Sequence, residues 1–461
     1  EQDGRAREEM SYEAMWQQWL KEDDQLRARV SWALLQIVVV SNIAPDLRPY
    51  GMSSYMDMLN RDAFGNYRQL LEDVTLHPTM GYYLNMLQSE KGNTAQGTHP
   101  NENYAREILQ LFSIGLVQLN QDGTKKLDAS GKPIPTYDEN VIKGFAKAFS
   151  GWSFGTGNPA DDNAFSNVDM EQIPNWVTPM KAWPTRHSTG DKLLLDGKTL
   201  TAGGTPESDM KAALDAIFNH PNLPPFVSLR LIQRLVTSNP SPDYVRRVAD
   251  VFANNGAGVR GDLKAVVRAI LLDPEARDVN KMSDPRFGKQ REPVIRFANL
   301  LRAFNATSKS GTNRIQYLDS AENGLGQSPL LAPSVFNFYS PFYAPPGAVA
   351  KSGLVAPEFQ ITTEISVAGS LNFFSGVINQ QGYGWGDNEM KMDYTPLEAV
   401  AGDTDQLLTK IDHLFFNSAM SDSTRAIIRK AVDGVNRNDK NWRVKVALTL
   451  TAIAPDYVVQ K

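Results

Sequence analysis

Apolar residues recur at helical spacing along most of this chain, and this pattern restricts the possible folds more than any other feature. Segments such as YEAMWQQWL, SDMKAALDAIFNH and DYVRRVADVF repeat apolar residues every three or four positions. Few segments alternate with the period of two that a half-buried strand requires. The exception is DKLLLDGKTL, a predicted hairpin with Asp196-Gly197 at its turn. The sequence therefore predicts an all-α fold, a single large multi-helix domain with at most a small β-hairpin.

Two irregular stretches interrupt the helical pattern, at residues 153–207 and 305–358. Both are rich in proline and aromatic residues. Long segments without secondary structure are usually functional loops or disordered, and aromatic content argues against disorder. We therefore expect ordered loops lying over one helical domain that spans residues 1–461. Its N-terminal half would cover residues 1–152 and its C-terminal half residues 208–461.

The charge balance and the apolar runs exclude several classes of protein. Lys and Arg number 47 against 52 Asp and Glu, for a net charge of -5, so no basic surface for nucleic acid is expected. No apolar run reaches the ~18 residues of a membrane span. The chain contains no cysteine, which rules out disulfides and thiolate metal sites and favours export. Because it starts without a Met or a signal-like segment, we expect it to begin inside a longer precursor, and we expect a periplasmic or secreted location.

The stretch HPNENYAREILQLFSIGL, residues 99–116, concentrates polar side chains on two helical turns. On a helical wheel the apolar residues share one half, and the polar residues occupy the other arc. Glu102 and Arg106 are four apart, as are Asn103 and Glu107, and Asn101 is a suitable N-terminal cap. One interpretation is an ordinary solvated helix with one ion pair. The alternative is a strip of side chains that carries a function.

This stretch resembles the signature of a large bacterial family known as domain of unknown function 1800. The resemblance continues in FGNYRQLLEDVTLHPTMGYYL, GFAKAFSGWSF, HPNLPPFVSLRLIQRLVTSNPSPDYVRRVADVF, GKQREPVIRFANLLRAF and QSPLLAPSVFNFYSP, so it covers nearly the whole chain. It implies a helical fold and export. It also implies a possible protein partner, since members are often encoded beside proteins that resemble sulfatases and alkaline phosphatases. It supplies no activity.

Carboxylates are the first candidates for chemistry. Glu102 and Glu107 are proposed for acid–base work, and because they diverge on the wheel, a glycosidase would need a partner such as Glu292. The alternative role of Arg291-Glu292 is a structural ion pair or helix cap. Arg106 has the fork geometry that holds a carboxylate or sulfate. The predicted substrate-binding residues are Asn103, Arg106, Arg291, Trp152, Trp176 and Trp183.

The five histidines show no metal-ligand spacing, so we predict neither a metal site nor a cofactor. His187 is the candidate general base because it lies in an irregular loop with other charged residues. The alternative is a hydrogen bond that anchors this loop.

The aromatic loops contain tryptophans that are candidate platforms for sugar rings: Trp152, Trp176, Trp183 and Trp385. Aromatic residues in proline-rich loops also pin such loops to a core, and that alternative stays open.

Together these features favour an exported hydrolase or lyase acting on a glycan or another surface polymer. The alternative is a non-catalytic surface or assembly protein that works with a sulfatase-like partner. A cleft lined by the polar strip would favour the enzyme, and a strip buried with every group paired would favour a structural brace.

Overall fold

The computed structural model describes residues 7–44, 46–93, 95–384 and 389–461, and this part of the chain is mostly helical. The N-terminal half contains helices α1 (Glu9–Lys21), α2 (Gln25–Leu35), α3 (Pro49–Asp62), α4 (Tyr67–Leu76), α5 (Pro78–Tyr83), α6 (Asn103–Gln110) and α7 (Glu139–Ala148). Next come α8 (Ile173–Val177), α9 (Pro206–Asn219), α10 (Leu223–Leu235), α11 (Pro242–Ala253), α12 (Leu263–Leu272), α13 (Pro274–Arg277) and α14 (Pro293–Ala303). The last are α15 (Ala348–Lys351), α16 (Glu364–Gln380), α17 (Thr395–Glu398), α18 (Thr404–Ile411), α19 (Asp422–Asp433), α20 (Lys440–Ile453) and α21 (Pro455–Val458).

The strands are all two residues long and pair antiparallel in four small sheets within the described residues. They are β1 (Trp152–Ser153), β2 (Lys181–Ala182), β3 (Lys192–Leu193), β4 (Thr199–Leu200), β5 (Lys289–Gln290), β6 (Thr307–Ser308), β7 (Gly382–Tyr383), β8 (Met390–Lys391) and β9 (Val459–Gln460). The sheets pair β1 with β2, β3 with β4, β5 with β9, and β8 with both β6 and β7. The predicted helical class is confirmed, and the β content exceeds the one predicted hairpin because distant loops also pair.

Shorter helical turns lie between these elements. The 3-10 turns cover Asp162–Phe165, Pro184–Arg186, Leu195–Gly197, Val279–Ser283 and Pro357–Ile361, and a π-helical turn covers Asp412–Phe416.

The predicted hairpin exists as β3 and β4. Lys192 pairs with Leu200 and Leu193 with Thr199. Asp196 and Gly197 have φ angles of 55° and 72°, the left-handed conformation that this turn requires. Local turn chemistry therefore identified this hairpin correctly.

Caps set the starts of several helices as expected. The Ser241 hydroxyl accepts from the backbone N–H of Tyr244 at the start of α11, and the Asp262 carboxylate accepts from Ala265 at the start of α12. These bonds satisfy N–H groups that have no partner inside a helix.

The core is continuous along the described chain, from Tyr12 to Tyr457. Helix α10 packs against α2, α11 and α12, and α20 packs against α16 and α19. No helix in the described residues is both long and apolar enough to cross a bilayer.

Candidate functional site

The polar strip of the signature stretch lies on the short helix α6. The N-cap position is Glu102, whose side chain makes no capping hydrogen bond, and Asn101 just before it accepts from the N–H of Asn103 at 2.9 Å through its Oδ1. The helix ends at Gln110, six residues before Leu116. The chain continues in turns to Gly115, which has a φ of 72° and donates its N–H to Leu109 O.

Arg106 links two carboxylates at the surface. Its guanidinium lies 3.2 Å from Glu102, which confirms the expected i, i+4 pair, and 3.0 Å from Glu139 at the start of α7. The hydrogen bonds from Arg106 hold the pKa of the Glu139 carboxyl below its ordinary value. The Arg106 charge is therefore compensated by two neighbours other than Glu107.

Glu107 is on the same helix but in a different environment. Its side chain is 9% exposed, and the buried Oε2 atom has no hydrogen-bond partner among the described residues. Burial raises the pKa of its carboxyl, and the charge of Arg106 opposes this shift only in part. Helical periodicity had assigned Glu107 to the polar arc, so its burial is a feature that the wheel missed.

Two tyrosines share this environment. The Tyr137 hydroxyl is buried and has no partner in the described chain. Burial, together with the charge of Glu107, raises the pKa of Tyr83 to about 12 and also raises the pKa of Tyr137. Glu107 thus lies among phenol groups, in a site that holds two unpaired polar groups, its own Oε2 and the Tyr137 hydroxyl. Buried polar groups are normally paired, so such exceptions indicate water or a ligand.

A polar groove begins one helical turn away. Asn103 donates to Asn85 Oδ1 at 2.9 Å, and Asn85 lines a cavity of about 810 Å³. The cavity contains five side-chain amides, together with charged groups and backbone. The amides belong to Asn85, Gln88, Asn93, Gln96 and Asn101.

Internal hydrogen bonds orient several of these amides. Gln88 Nε2 donates to Phe165 O at 2.9 Å, and Asn93 Oδ1 accepts from the N–H of Ala95 at 3.0 Å. The other end of each amide, like Nδ2 of Asn101, bonds to no residue that the structure describes. The groove therefore presents both donors and acceptors.

His187 is distant in sequence from this strip and is buried. Its ring nitrogens lie 2.8 Å from Ser150 O and 3.0 Å from Asp209 Oδ2. Lys192 Nζ lies 2.7 Å from the same Asp209 oxygen. Burial raises the pKa of Asp209, but hydrogen bonds from Lys192 and His187 outweigh it, so the pKa is lowered.

Ser150, His187 and Asp209 are the residue types of a hydrolytic triad, but their arrangement is structural. The Ser150 hydroxyl donates to Lys147 O at 2.7 Å and accepts from the N–H of Ser188. All three residues are buried, and both ring nitrogens of His187 and the Ser150 hydroxyl already have protein partners. The geometry corresponds to the loop-anchoring alternative, and a base role for His187 stays a prediction without support here.

Three of the tryptophans predicted to bind sugar rings lie in the described residues, and they are also buried. Trp176 and Trp183 are fully buried, and Trp152 nearly so. Trp176 donates to Met170 O and contacts the ring of Phe154, so it pins the irregular loop internally. None of these three indoles offers an exposed face for a sugar ring, and the stacking prediction gains no support. Trp385 lies outside the described residues.

Glu292 belongs to a separate buried cluster. Its carboxylate is fully buried and accepts from Trp32 Nε1 at 3.3 Å, Gln36 Nε2 at 3.2 Å and Gln327 Nε2 at 2.7 Å. Burial raises its pKa, but the charges of Lys289 and two arginines outweigh that effect and lower it. With its oxygens bonded to protein donors, Glu292 has the environment of a structural residue.

Arg291 points to the C-terminal segment. Its Nη1 donates to Tyr457 O at 2.8 Å and to Phe415 O at 3.4 Å, and its guanidinium lies over the Tyr457 ring. The substrate-orienting role predicted for it therefore has no supporting geometry.

The structure thus brings together Glu102, Asn103, Arg106 and Glu107, and within the described chain no hydrogen bond or ion pair joins their side chains to His187, Glu292, Arg291 or the three tryptophans. It adds residues that the sequence did not indicate: Asn85, Tyr83, Tyr137 and Glu139. No local motif marks these four, because they meet α6 only through tertiary packing. Among the described residues, no group of three or more acidic or histidine side chains is arranged to hold a metal ion.

Comparison with known proteins gives one match. A family model described as Protein of unknown function (DUF1800) matches residues 1–459. No curated protein and no solved structure matches the chain significantly.

Proposed function

We propose, from the premise that this chain belongs to the DUF1800 family, that it is a hydrolase or lyase acting on a glycan, with Glu107 as the proton-transferring group. The observation that carries this proposal is the unpaired, buried Oε2 of Glu107 in the signature helix. A carboxyl with a raised pKa keeps its proton at higher pH than usual, which suits a general acid.

A second carboxyl in the opposite state supports the proposal. Glu139 stays ionised because Arg106 donates to it, while Glu107 is biased toward its neutral form by burial. Pairs of carboxyls with pKa values pushed apart are the usual basis for dividing acid and base roles. In this scheme Arg106 holds Glu139 and Glu102 and leaves Glu107 without an ion pair.

The groove that starts at Asn85 supports a glycan as substrate. Side-chain amides offer one donor group and one acceptor, which matches the alternating donors and acceptors of sugar hydroxyls. Internal bonds orient Gln88 and Asn93 before any ligand arrives, which reduces the entropy lost on binding. Asn103 bonds to Asn85 and is one turn before Glu107, so it connects the groove to the acid.

The test is turnover of a panel of neutral and acidic polysaccharides by the wild-type protein and by Glu107→Gln. Released reducing ends report hydrolysis, and unsaturated products report elimination. We expect activity on at least one polymer, and a loss of at least about a hundredfold in Glu107→Gln. The exposed Glu322 supplies a control, Glu322→Gln, with unchanged activity. Equal turnover by wild type and Glu107→Gln, or no turnover on any polymer, refutes the proposal.

An exported location is part of the same proposal. The absence of cysteine from all 461 residues supports it, because a free thiol is a liability in an oxidising compartment. Fractionation of cells that produce the native protein tests it, and recovery only in the cytoplasm contradicts it.

A second candidate is an assembly protein that contacts a sulfatase-like partner. Helix α16 supports it, because Ile365 and Val367 are each 56% exposed and Leu371 is 38% exposed. Exposed apolar side chains in a group favour a protein contact. This candidate predicts that the partner co-purifies with the wild type and not with Val367→Glu. It is favoured over the enzyme if, in addition, Glu107→Gln leaves all measured turnover unchanged.

A further inference from the structure

Four basic side chains meet around α2, α10 and β5, away from the signature helix. Arg230, Arg234 and Lys289 are buried, and Arg234 is only 4% exposed. Arg29 points its buried Nη1 atom into the same region. Arg29 Nη2 and Lys289 Nζ both donate to Arg234 O, at 2.6 and 2.9 Å.

The carboxylates near these side chains form no direct ion pair with the arginines. Lys289 pairs with the buried Glu358 at 2.9 Å. Glu292 receives its hydrogen bonds from neutral indole and amide groups. Within the described chain, none of the three arginines of the cluster lies within 4 Å of a carboxylate. Four cations thus face two anions.

The arginines contact neutral groups instead. Arg230 donates to Gln233 Oε1 at 2.6 Å and lies over the ring of Phe342. Arg234 lies 4.6 Å from the centre of the Tyr339 ring. The Arg234 guanidinium, with five donors, makes no hydrogen bond to any residue that the structure describes, and Nη1 of Arg29 makes none either.

This arrangement holds more positive than negative charge. An arginine stays protonated at neutral pH even when buried. Burying an uncompensated charge is far costlier than burying a paired one. We propose that Arg29 and Arg234 bind a small oxyanion, phosphate or sulfate, within this cluster. The planar fork of a guanidinium matches the paired oxygens of these anions.

A neighbouring cavity gives this site an approach. A cavity of about 590 Å³ is lined by Gln233, Ser238 and Pro341, among other residues. Gln233 Nε2 donates to Ser238 O and Pro341 O, while its Oε1 accepts from Arg230, so Gln233 joins the cavity lining to Arg230 of the cluster. The oxyanion is either a free ion or the anionic group of a larger ligand seated in this cavity.

The test begins with the wild-type protein after exhaustive dialysis against phosphate-free buffer. Heat denaturation followed by a colorimetric assay measures retained phosphate. Thermal-shift titrations then compare inorganic phosphate, inorganic sulfate and glycerol 3-phosphate with sodium chloride of equal ionic strength. We expect either stoichiometric phosphate release or a rise in Tm with oxyanion beyond that with chloride. A rise with glycerol 3-phosphate alone assigns the site to an ester ligand.

Variants locate the site. Arg234→Gln should weaken oxyanion binding at least about tenfold, whereas Arg246→Gln, on the exposed surface of α11, should leave it unchanged. If Arg234→Gln does not fold, Arg29→Lys keeps the charge, removes the Nη1 donor and should weaken binding in the same direction. The proposal is overturned if the wild type shows neither phosphate release nor an oxyanion-specific rise in Tm. It is also overturned if the wild type and the folded cluster variant bind the oxyanion equally well.

Discussion

Substituting Glu107 by Gln should make the protein more stable, although it removes the proposed catalytic group. The carboxyl is 9% exposed, and its Oε2 has no partner among the described residues. A buried polar group left unpaired costs about 1–3 kcal/mol. The neutral amide has nearly the same shape and avoids the extra cost of burying a charge, so we expect a gain of ~0.5–2 kcal/mol at neutral pH.

The gain should depend on pH in a defined direction. Because burial raises the pKa of folded Glu107, the folded state binds more protons than the unfolded state between the two pKa values. Wild-type stability should therefore fall as pH rises from about 4.3, the ordinary glutamate value, through the folded pKa. The variant lacks this loss. The difference between the two proteins should be small at low pH and largest above the folded pKa.

Urea denaturation at a series of pH values measures this difference from the transition midpoints. Glu102→Gln on the same helix is the matched control, because it breaks only a partly exposed i, i+4 pair and should change stability by less than ~0.5 kcal/mol. A loss of more than ~1 kcal/mol in Glu107→Gln would refute the reasoning and identify Glu107 as a structural brace.

Three further predictions concern the buried groups outside the strip. Glu292→Ala should lower the free energy of unfolding by ~3–5 kcal/mol in urea denaturation, because it leaves the buried N–H groups that now donate to this carboxylate without an acceptor. The control Glu322→Ala should change the free energy of unfolding by less than ~0.5 kcal/mol. Trp176→Ala should lower the free energy of unfolding by ~3–5 kcal/mol and leave polysaccharide binding by the folded protein unchanged. A loss of polysaccharide binding without a loss of stability would instead support stacking of a sugar ring on Trp176. Asp209→Asn should cost ~3–5 kcal/mol, because it leaves the buried Lys192 without its anion. The pKa of Asp209 is lowered in the folded state, so the stability that this carboxylate contributes should be present above about pH 4 and lost as pH falls through the folded pKa. An acid-unfolding midpoint that is the same in wild type and Asp209→Asn would contradict this prediction.

Local patterns predicted most of the fold. Helical periodicity identified the all-α class, and turn chemistry placed the hairpin at Asp196-Gly197, because both depend on residues close in sequence. The same reasoning extended α6 too far, since the helix ends at Gln110 and the chain continues to Gly115 in turns. The pairing of β5 with β9 joins segments that are far apart in the chain, so no local sequence pattern predicts it.

The site was predictable only in part. The Glu102–Arg106 pair follows from spacing, but the burial of Glu107 depends on tertiary packing, which no helical wheel contains. The buried basic cluster does have a signal in the sequence, because Arg234 lies in the apolar stretch SLRLIQRLV. A charged residue on an apolar face indicates a buried polar partner without identifying it.

The protonation of Glu107 is the most direct test of the central claim. Carboxyl-labelled glutamate, with the spectrum of Glu107→Gln subtracted, gives the 13C titration curve of this one side chain in the native protein. The account predicts a pKa above the ordinary glutamate value of about 4.3, because burial disfavours the charged form. A pKa at or below that value would mean that Glu107 is a stably ionised carboxylate, and it would contradict its assignment as the proton donor.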